Sequence, residues 1–216
     1  ITVNGNKATI GEKADPFKDD IKIDGSRIPK KLNHKVILLN KPLGIISSCT
    51  DTHGRDTVIS LIPSYLRKGL HPVGRLDSES RGAMLLTNNG ELTNNLTHPR
   101  YSQIKKYRVW LQGVPTQKII EKWSNGLLLE GKLTRKANIV LLEKSENKSL
   151  IEICMKEGRN RQIRKIAFLL GYKVLDLQRI EIGGININNI KEGNWRLLSK
   201  FEIEELIQRT KSIQKT

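Results

Sequence analysis

The chain has 216 residues, 37 % of them apolar, enough for one substantial domain and a small appendage, and its 38 Lys and Arg against 22 Asp and Glu leave a net charge of +16. Such a field suits a polyanion, nucleic acid above all and anionic membrane second, better than it suits an acidic metabolite. No run approaches the roughly 18 consecutive apolar residues of a spanning helix, and the first residues carry no apolar signal core, so a soluble intracellular protein is expected.

Residues 1–31 hold short β-like pieces, Thr2-Val3 and Ile21 to Ile23, between the turn signals Asn4-Gly5, Asp15-Pro16 and Asp24-Gly25. They are thin material for an independent core. From residue 35 the apolar runs lengthen: Val36 to Leu39, Ile45-Ile46, Ala83 to Leu86, Tyr107 to Leu111, Ile139 to Leu142 and Ile151 to Met155. Their length, β-branched content and flanking turn residues predict strands. In "SLIEICMK" Ile151, Ile153 and Met155 fall on one face and Glu152, Cys154 and Lys156 on the other, the pattern of a half-buried antiparallel strand. Helices are predicted at Gly90 to Leu96, at Pro115 to Trp123 with Pro115 in the first turn, at Asn160 to Leu170 and at Ser199 to Arg209. The class is therefore α+β with a mixed, mostly antiparallel sheet, followed by a polar tail, "RTKSIQKT", expected to fray.

Cys49 and Cys154 are far apart with no CxxC, and His34, His53, His71 and His98 show no ligand spacing, so neither zinc nor a disulfide framework is expected. "GLLLEGKL" (Gly126 to Leu133) approaches a phosphate-binding loop, but Leu133 replaces the hydroxyl that would meet Mg²⁺, and its leucines want a core.

Charge is concentrated in three places. In "HPVGRLDSESRGAMLLTNNGE" (71–91) Asp77 follows two apolar residues, Val73 and Leu76, and precedes the turn formers Ser78, Glu79 and Ser80, with Arg75 and Arg81 bracketing it. "HPRYSQIKKYRVW" (98–110) interleaves Arg100, Lys105, Lys106 and Arg108 with Tyr101, Tyr107 and Trp110, a mixture of phosphate-neutralising cations and stacking rings. Alternation places Tyr107 on the face of Val109 and Leu111, pointing inward. In "KEGRNRQIRKIAFLLGYKV" (156–174) Ile163, Ile166, Ala167 and Leu170 form a buried helical stripe, while Arg161, Arg164 and Lys165 gather at the first turns. Cations there oppose the helix dipole unless an anion, phosphate or carboxylate, meets them.

Together these segments resemble the RsuA/RluB-type ribosomal RNA pseudouridine synthases. "GRLDSESRGAMLLTNNG" is similar to that family's G-R-L-D signature, "NKPLGIISS" (40–48) to its K-P-x-G segment, "KKYRV" to its tyrosine motif and "EGRNRQIRKI" to its late basic motif; "VNGNKATIGEKADPFKDDIKIDG" resembles the second half of an S4 RNA-binding module. Ser80 stands for the usual Thr, Arg81 for a small residue, Ala83 and Met84 for leucines and Asn89 for Asp. Arg81 is thereby expected to influence substrate choice.

The resemblance implies a pseudouridine synthase domain over 34–209 behind a partial S4-like segment over 1–31. It further implies a cytoplasmic enzyme, bacterial or of an organelle of bacterial ancestry, that isomerises one uridine of ribosomal RNA as a monomer, with no metal, cofactor or membrane. The large-subunit RNA is favoured because "NKPLGIISS…HGRDTV" looks closer to the B-type enzymes. Asp77 is then the catalytic carboxylate, as nucleophile at C1′ or as base toward the 2′ proton, with Arg164 its partner and Tyr107 stacked on the target base. Arg75 fills the gap left by the everted nucleotide. Lys105, Lys106, Arg108, Arg159 and Arg161 are the candidates for RNA contact. A noncatalytic RNA-binding or ribosome-assembly factor would use the charge but has no need of Asp77, Tyr107 and Arg164 together. A metal-dependent nuclease needs clustered carboxylates that the sequence does not present.

Overall fold

The structure is a computed structural model that describes residues 1–15, 18–28, 34–98 and 103–212. Pro16 of the Asp15-Pro16 signal, residues 30–31 at the expected domain boundary, Arg100 and Tyr101 of the basic segment and the last four residues of the tail lie outside the described residues. The chain divides into two units, Ile1–His34 and Lys35–Thr216.

The first unit is built from hairpins whose tips lie where the turn dipeptides predict them. β1 (Thr2–Val3) and β2 (Asn6–Lys7) pair across Asn4-Gly5, and β3 (Ile21–Ile23) and β4 (Ser26–Arg27) pair across Asp24-Gly25. Asn4, Gly5, Asp24 and Gly25 all have positive φ, the backbone that a two-residue hairpin turn demands. β1 also pairs with β3, giving one small sheet.

In the second unit the strands are β5 (Val36–Lys41), β6 (His71–Pro72), β7 (Arg81–Thr87), β8 (Lys105–Gln112), β9 (Leu128–Leu129), β10 (Lys132–Leu133), β11 (Asn138–Lys144), β12 (Lys148–Met155), β13 (Lys173–Ile182), β14 (Ile185–Asn186) and β15 (Trp195–Leu197). The helices are α1 (Gly90–Thr97), α2 (Gln117–Asn125), α3 (Gln162–Leu169) and α4 (Lys200–Ser212). No described helix is long and apolar enough to cross a membrane. The main sheet runs β11-β12-β8-β13-β7-β5-β15, with β14 beside β13 and β6 beside β7. Among the described strands of the main sheet only β13 and β7 pair in parallel; the fold is α+β on a mixed, mostly antiparallel sheet.

The central strands are buried on both faces. Ile37 and Leu39 of β5 with Met84 and Leu86 of β7 join one apolar cluster, and Val36 and Leu38 with Ala83 and Leu85 join the other. Period-two alternation thus distributes one continuous apolar run between two cores. The first cluster takes Tyr107, Val109 and Leu111 of β8, Ile151 and Ile153 of β12, and the α3 stripe of Ile163, Ile166 and Ala167. α1 and α4 cover the second through Leu92, Leu96 and Leu206.

Several local expectations are corrected. Ile45-Ile46 is no strand but a loop with a single bridge from Ile46 to Thr57. Pro115 lies before the α2 cap, where the Thr116 hydroxyl accepts from the Ile119 amide at 3.4 Å. The first residues of the polar tail, through Ser212, continue α4. β13, ten residues long and next to the middle of the sheet, was not predicted at all. In the 126–133 segment Leu129 is buried as expected, whereas Leu128 and Leu133 face each other across the β9–β10 hairpin in the open.

Candidate active site

The segment carrying Asp77 is fixed from outside itself. After β6 the Val73 amide makes one last sheet bond, to the Leu85 carbonyl, and the chain turns away at Gly74, whose φ is +75°. The Ser47 hydroxyl then holds Leu76 at both ends, donating to its carbonyl at 2.6 Å and accepting from its amide at 3.1 Å. Asp77 opens a turn closed by the Ser80 amide on its own carbonyl at 3.0 Å. The Gly44 amide donates to the Ser78 carbonyl at 2.8 Å, and Lys41 Nζ donates to the Ser80 and Pro42 carbonyls at 2.8 and 2.9 Å. Three residues of "NKPLGIISS", Lys41, Gly44 and Ser47, therefore grip the acidic turn.

Lys41 has no exposed surface. Burial pushes its pKa from 10.5 down to about 8, an effect opposed first by the negative charge of Asp77. Neither Lys41 nor Ser47 was singled out in the sequence; the only signal was membership of the K-P-x-G segment.

On the other side of the turn stands α3. Arg161, in the left-handed conformation at the helix N-terminus, donates to the Glu79 carboxylate at 2.8 Å. The same guanidinium, by hydrogen bond and charge, holds the Glu79 carboxyl below its ordinary range. The anion that the basic helix start called for is thus an internal carboxylate. Arg164 Nη2 donates to the Glu79 main-chain carbonyl at 2.7 Å, and its Nε, buried, has no acceptor. The expected direct pairing of Arg164 with the Asp77 carboxylate is therefore corrected: the guanidinium reaches the turn's backbone two residues further on. Burial lowers the Arg164 pKa, while Glu79 and, more weakly, Asp77 act in the opposite sense.

A cleft of about 730 Å³ brings together Asp77, Tyr107, Arg75, Lys105, Arg159 and Arg161. Tyr107 is only 7 % exposed and sits in register with Ile153 of β12 and Arg179 of β13, so its ring is held by the sheet. Arg75 is exposed on the cleft wall. Lys106 and Arg108 alternate with Lys105 and Tyr107 on β8 and occupy the opposite sheet face, where Lys106 lies 3.7 Å from Glu181. Arg159 lines the cleft, but its guanidinium is occupied, donating to the Lys132 and Leu133 carbonyls at 3.0 and 2.6 Å, so it ties down the β9–β10 hairpin. Arg81 forms a two-pronged pair with Asp176, at 3.0 and 2.8 Å, and lies 3.4 Å from Glu192. The cations that sequence reasoning missed in this cleft are Lys132, Arg135, Lys156 and Arg179.

Residues 35–167 match the RNA pseudouridylate synthase family. The chain belongs to that family. It is an RNA pseudouridine synthase, an isomerase built on the fold described above. Over 209 residues, 95 % of this chain and 84 % of the relative, it is 34 % identical to "Ribosomal large subunit pseudouridine synthase B" of Bacillus subtilis (strain 168). It is 33 % identical over 96 % of its length to "Dual-specificity RNA pseudouridine synthase RluF" of Escherichia coli (strain K12), covering 70 % of that protein. A crystal structure of a pseudouridylate synthase superposes with a TM-score of 0.75 at 28 % identity, covering 95 % of this chain and 87 % of the other. The pseudouridine synthase match lies wholly in the second unit, the one that carries the cleft.

Proposed function

We propose that this pseudouridine synthase converts one uridine of ribosomal RNA, in the large subunit, to pseudouridine, with Asp77 as the catalytic carboxylate. The observation that carries the reading is the convergence of Asp77 and Tyr107 on one cation-lined cleft, with Asp77 presented on a turn anchored from two sides. The reaction breaks the N1–C1′ bond, rotates the freed uracil and joins C5 to C1′; the C5 proton leaves to solvent, N1 takes up a proton in its place, and nothing is oxidised or reduced.

Asp77 acts at the ribose, Tyr107 packs against the base, and Arg164 acts as a positioning residue through the Glu79 carbonyl. A base inside a helix must be everted to reach such a cleft, and the unstacking cost of a few kcal/mol is offset by phosphate attraction and pocket contacts. The ribosomal, large-subunit assignment is supported by the similarity to the Bacillus subtilis enzyme, whose name states that substrate.

Asp77→Asn tests the reading. The variant is expected to fold and to bind ribosomal RNA as the parent does, yet to release no tritium from RNA labelled at uridine C5. Parental turnover by the variant would remove Asp77 from the mechanism. Mapping pseudouridine in ribosomal RNA from cells with and without the protein assigns the subunit; a site that disappears from small-subunit RNA instead would overturn the large-subunit assignment.

A further inference from the structure

One stretch of the cleft wall offers hydrogen-bond donors without acceptors. Gln103, just before β8, Lys105 on β8 and Arg179 on β13 line it together. On the two adjacent strands Arg179 lies in register with Tyr107, and Ile182 with Lys105. Gln103 and Arg179 are each 3 % exposed, and both Gln103 Nε2 and Arg179 Nη2 have no acceptor. Arg179 Nε donates to the Ala83 carbonyl at 2.6 Å, and Lys105 Nζ to the Gln103 main-chain carbonyl at 2.7 Å.

Neither cation has a carboxylate within salt-bridge distance among the described residues. Burial and the neighbouring Arg179 both push the Lys105 pKa down, to about 8, and no acid counters them. An unmet buried donor and an unpaired buried cation are each unfavourable, so keeping both in one place costs the empty protein stability. An acceptor-rich anion removes both costs, and phosphate oxygens bound to Arg or Lys form the stronger, charge-assisted class of hydrogen bond. The two residues from Tyr107 back to Lys105 span about 7 Å along the strand, a spacing that suits a nucleoside and its attached phosphate.

We infer that Gln103, Lys105 and Arg179 form a phosphate subsite that seats the 5′ phosphate of the everted uridine. The inference rests on the proposed function, which places the nucleoside between Asp77 and Tyr107. It gives Arg179 and Gln103 a binding role and makes the phosphate next to the reacting nucleotide the one held inside the cleft. The positions of Arg75 and Arg161 on the same cleft leave them to more distant phosphates.

The test compares uridine, uridine 5′-monophosphate and inorganic phosphate as probes of the full chain by NMR titration at neutral pH. Uridine 5′-monophosphate is expected to bind about tenfold more tightly than uridine, through charge-assisted bonds. Lys105→Met and Gln103→Glu should abolish that advantage and leave uridine affinity unchanged. Gln103→Glu supplies the missing anion internally, so it should also raise the urea midpoint. Equal affinity for uridine and uridine 5′-monophosphate, an advantage that survives both substitutions, or a Gln103→Glu protein no more stable than its parent would overturn the subsite. Inorganic phosphate binding as tightly as the nucleotide would assign the wall to a free anion and overturn the nucleotide reading as well. Pseudouridine formation in ribosomal RNA is read separately: product formed without any phosphate advantage sinks the subsite and leaves the proposed function standing.

Discussion

Replacing Lys41 by Met removes the buried ammonium that closes the Asp77 turn and keeps the aliphatic stem. Two charge-assisted hydrogen bonds are lost, to the Ser80 and Pro42 carbonyls at 2.8 and 2.9 Å, each worth about 1.5–3 kcal/mol. Against this, burial has moved the Lys41 pKa from 10.5 to about 8, which makes the charged form about 3 kcal/mol less favourable than in water, and that cost vanishes with the charge. The net loss of stability at pH 7 is therefore small, about 0–3 kcal/mol by urea unfolding. Turnover should fall far more, because a displacement of about 1 Å in a reacting group can cost about 100-fold in rate.

The pH dependence gives a second signature. With the folded pKa below the unfolded one, the unfolded chain binds more protons between about pH 8 and 10.5, so Lys41 makes stability rise with pH across that window. Lys105, also displaced to about 8, contributes in the same sense, and Lys41→Met should remove roughly half of the combined rise. Tritium release and urea unfolding at pH 7 to 10.5 measure both effects. Parental turnover together with an unchanged rise would refute the claim that Lys41 positions Asp77.

Two further outcomes follow from single contacts. Gly82 has a φ of +108°, and a Cβ there would run into the Arg179 main chain at the one place where β7 and β13 pair, so Gly82→Ala should cost at least about 2–3 kcal/mol in urea unfolding; a loss below about 0.5 kcal/mol would show that the two strands separate easily. Glu202 bonds the Ser199 amide at 2.8 Å and Arg196 at 2.6 and 2.9 Å, and chiefly the Arg196 guanidinium holds its carboxyl at about 2. Its folded pKa is depressed, so its contribution is complete above the ordinary value of 4.5 and disappears as pH falls from there through about 2. Glu202→Gln should flatten that part of the acid limb of a stability–pH curve, and an identical limb would contradict the assignment.

The sequence by itself determined what depends on near neighbours. The alternation of Ile151, Ile153 and Met155, the helical stripe of Ile163, Ile166 and Ala167, and the turn dipeptides Asn4-Gly5 and Asp24-Gly25 each specify an element within a few residues, and each of these elements formed. Ordered motifs identified the family before any distance was known. β13 escaped because Lys173, Asp176, Arg179 and Glu181 interrupt its apolar residues; Asp176 meets Arg81, Arg179 meets the Ala83 carbonyl through Nε alone and Glu181 meets Lys106, all partners on other strands. Only the tertiary structure decided which donors hold the Asp77 turn, because Lys41 meets Ser80 across 39 positions and Arg164 meets Glu79 across 85. It also decided which basic residues share the cleft, sending Lys105 inward and Arg108 to the opposite sheet face. Hydrophobic periodicity is a local property of the chain, whereas a buried cation is satisfied by whichever carbonyl or acid the folded sheet brings beside it.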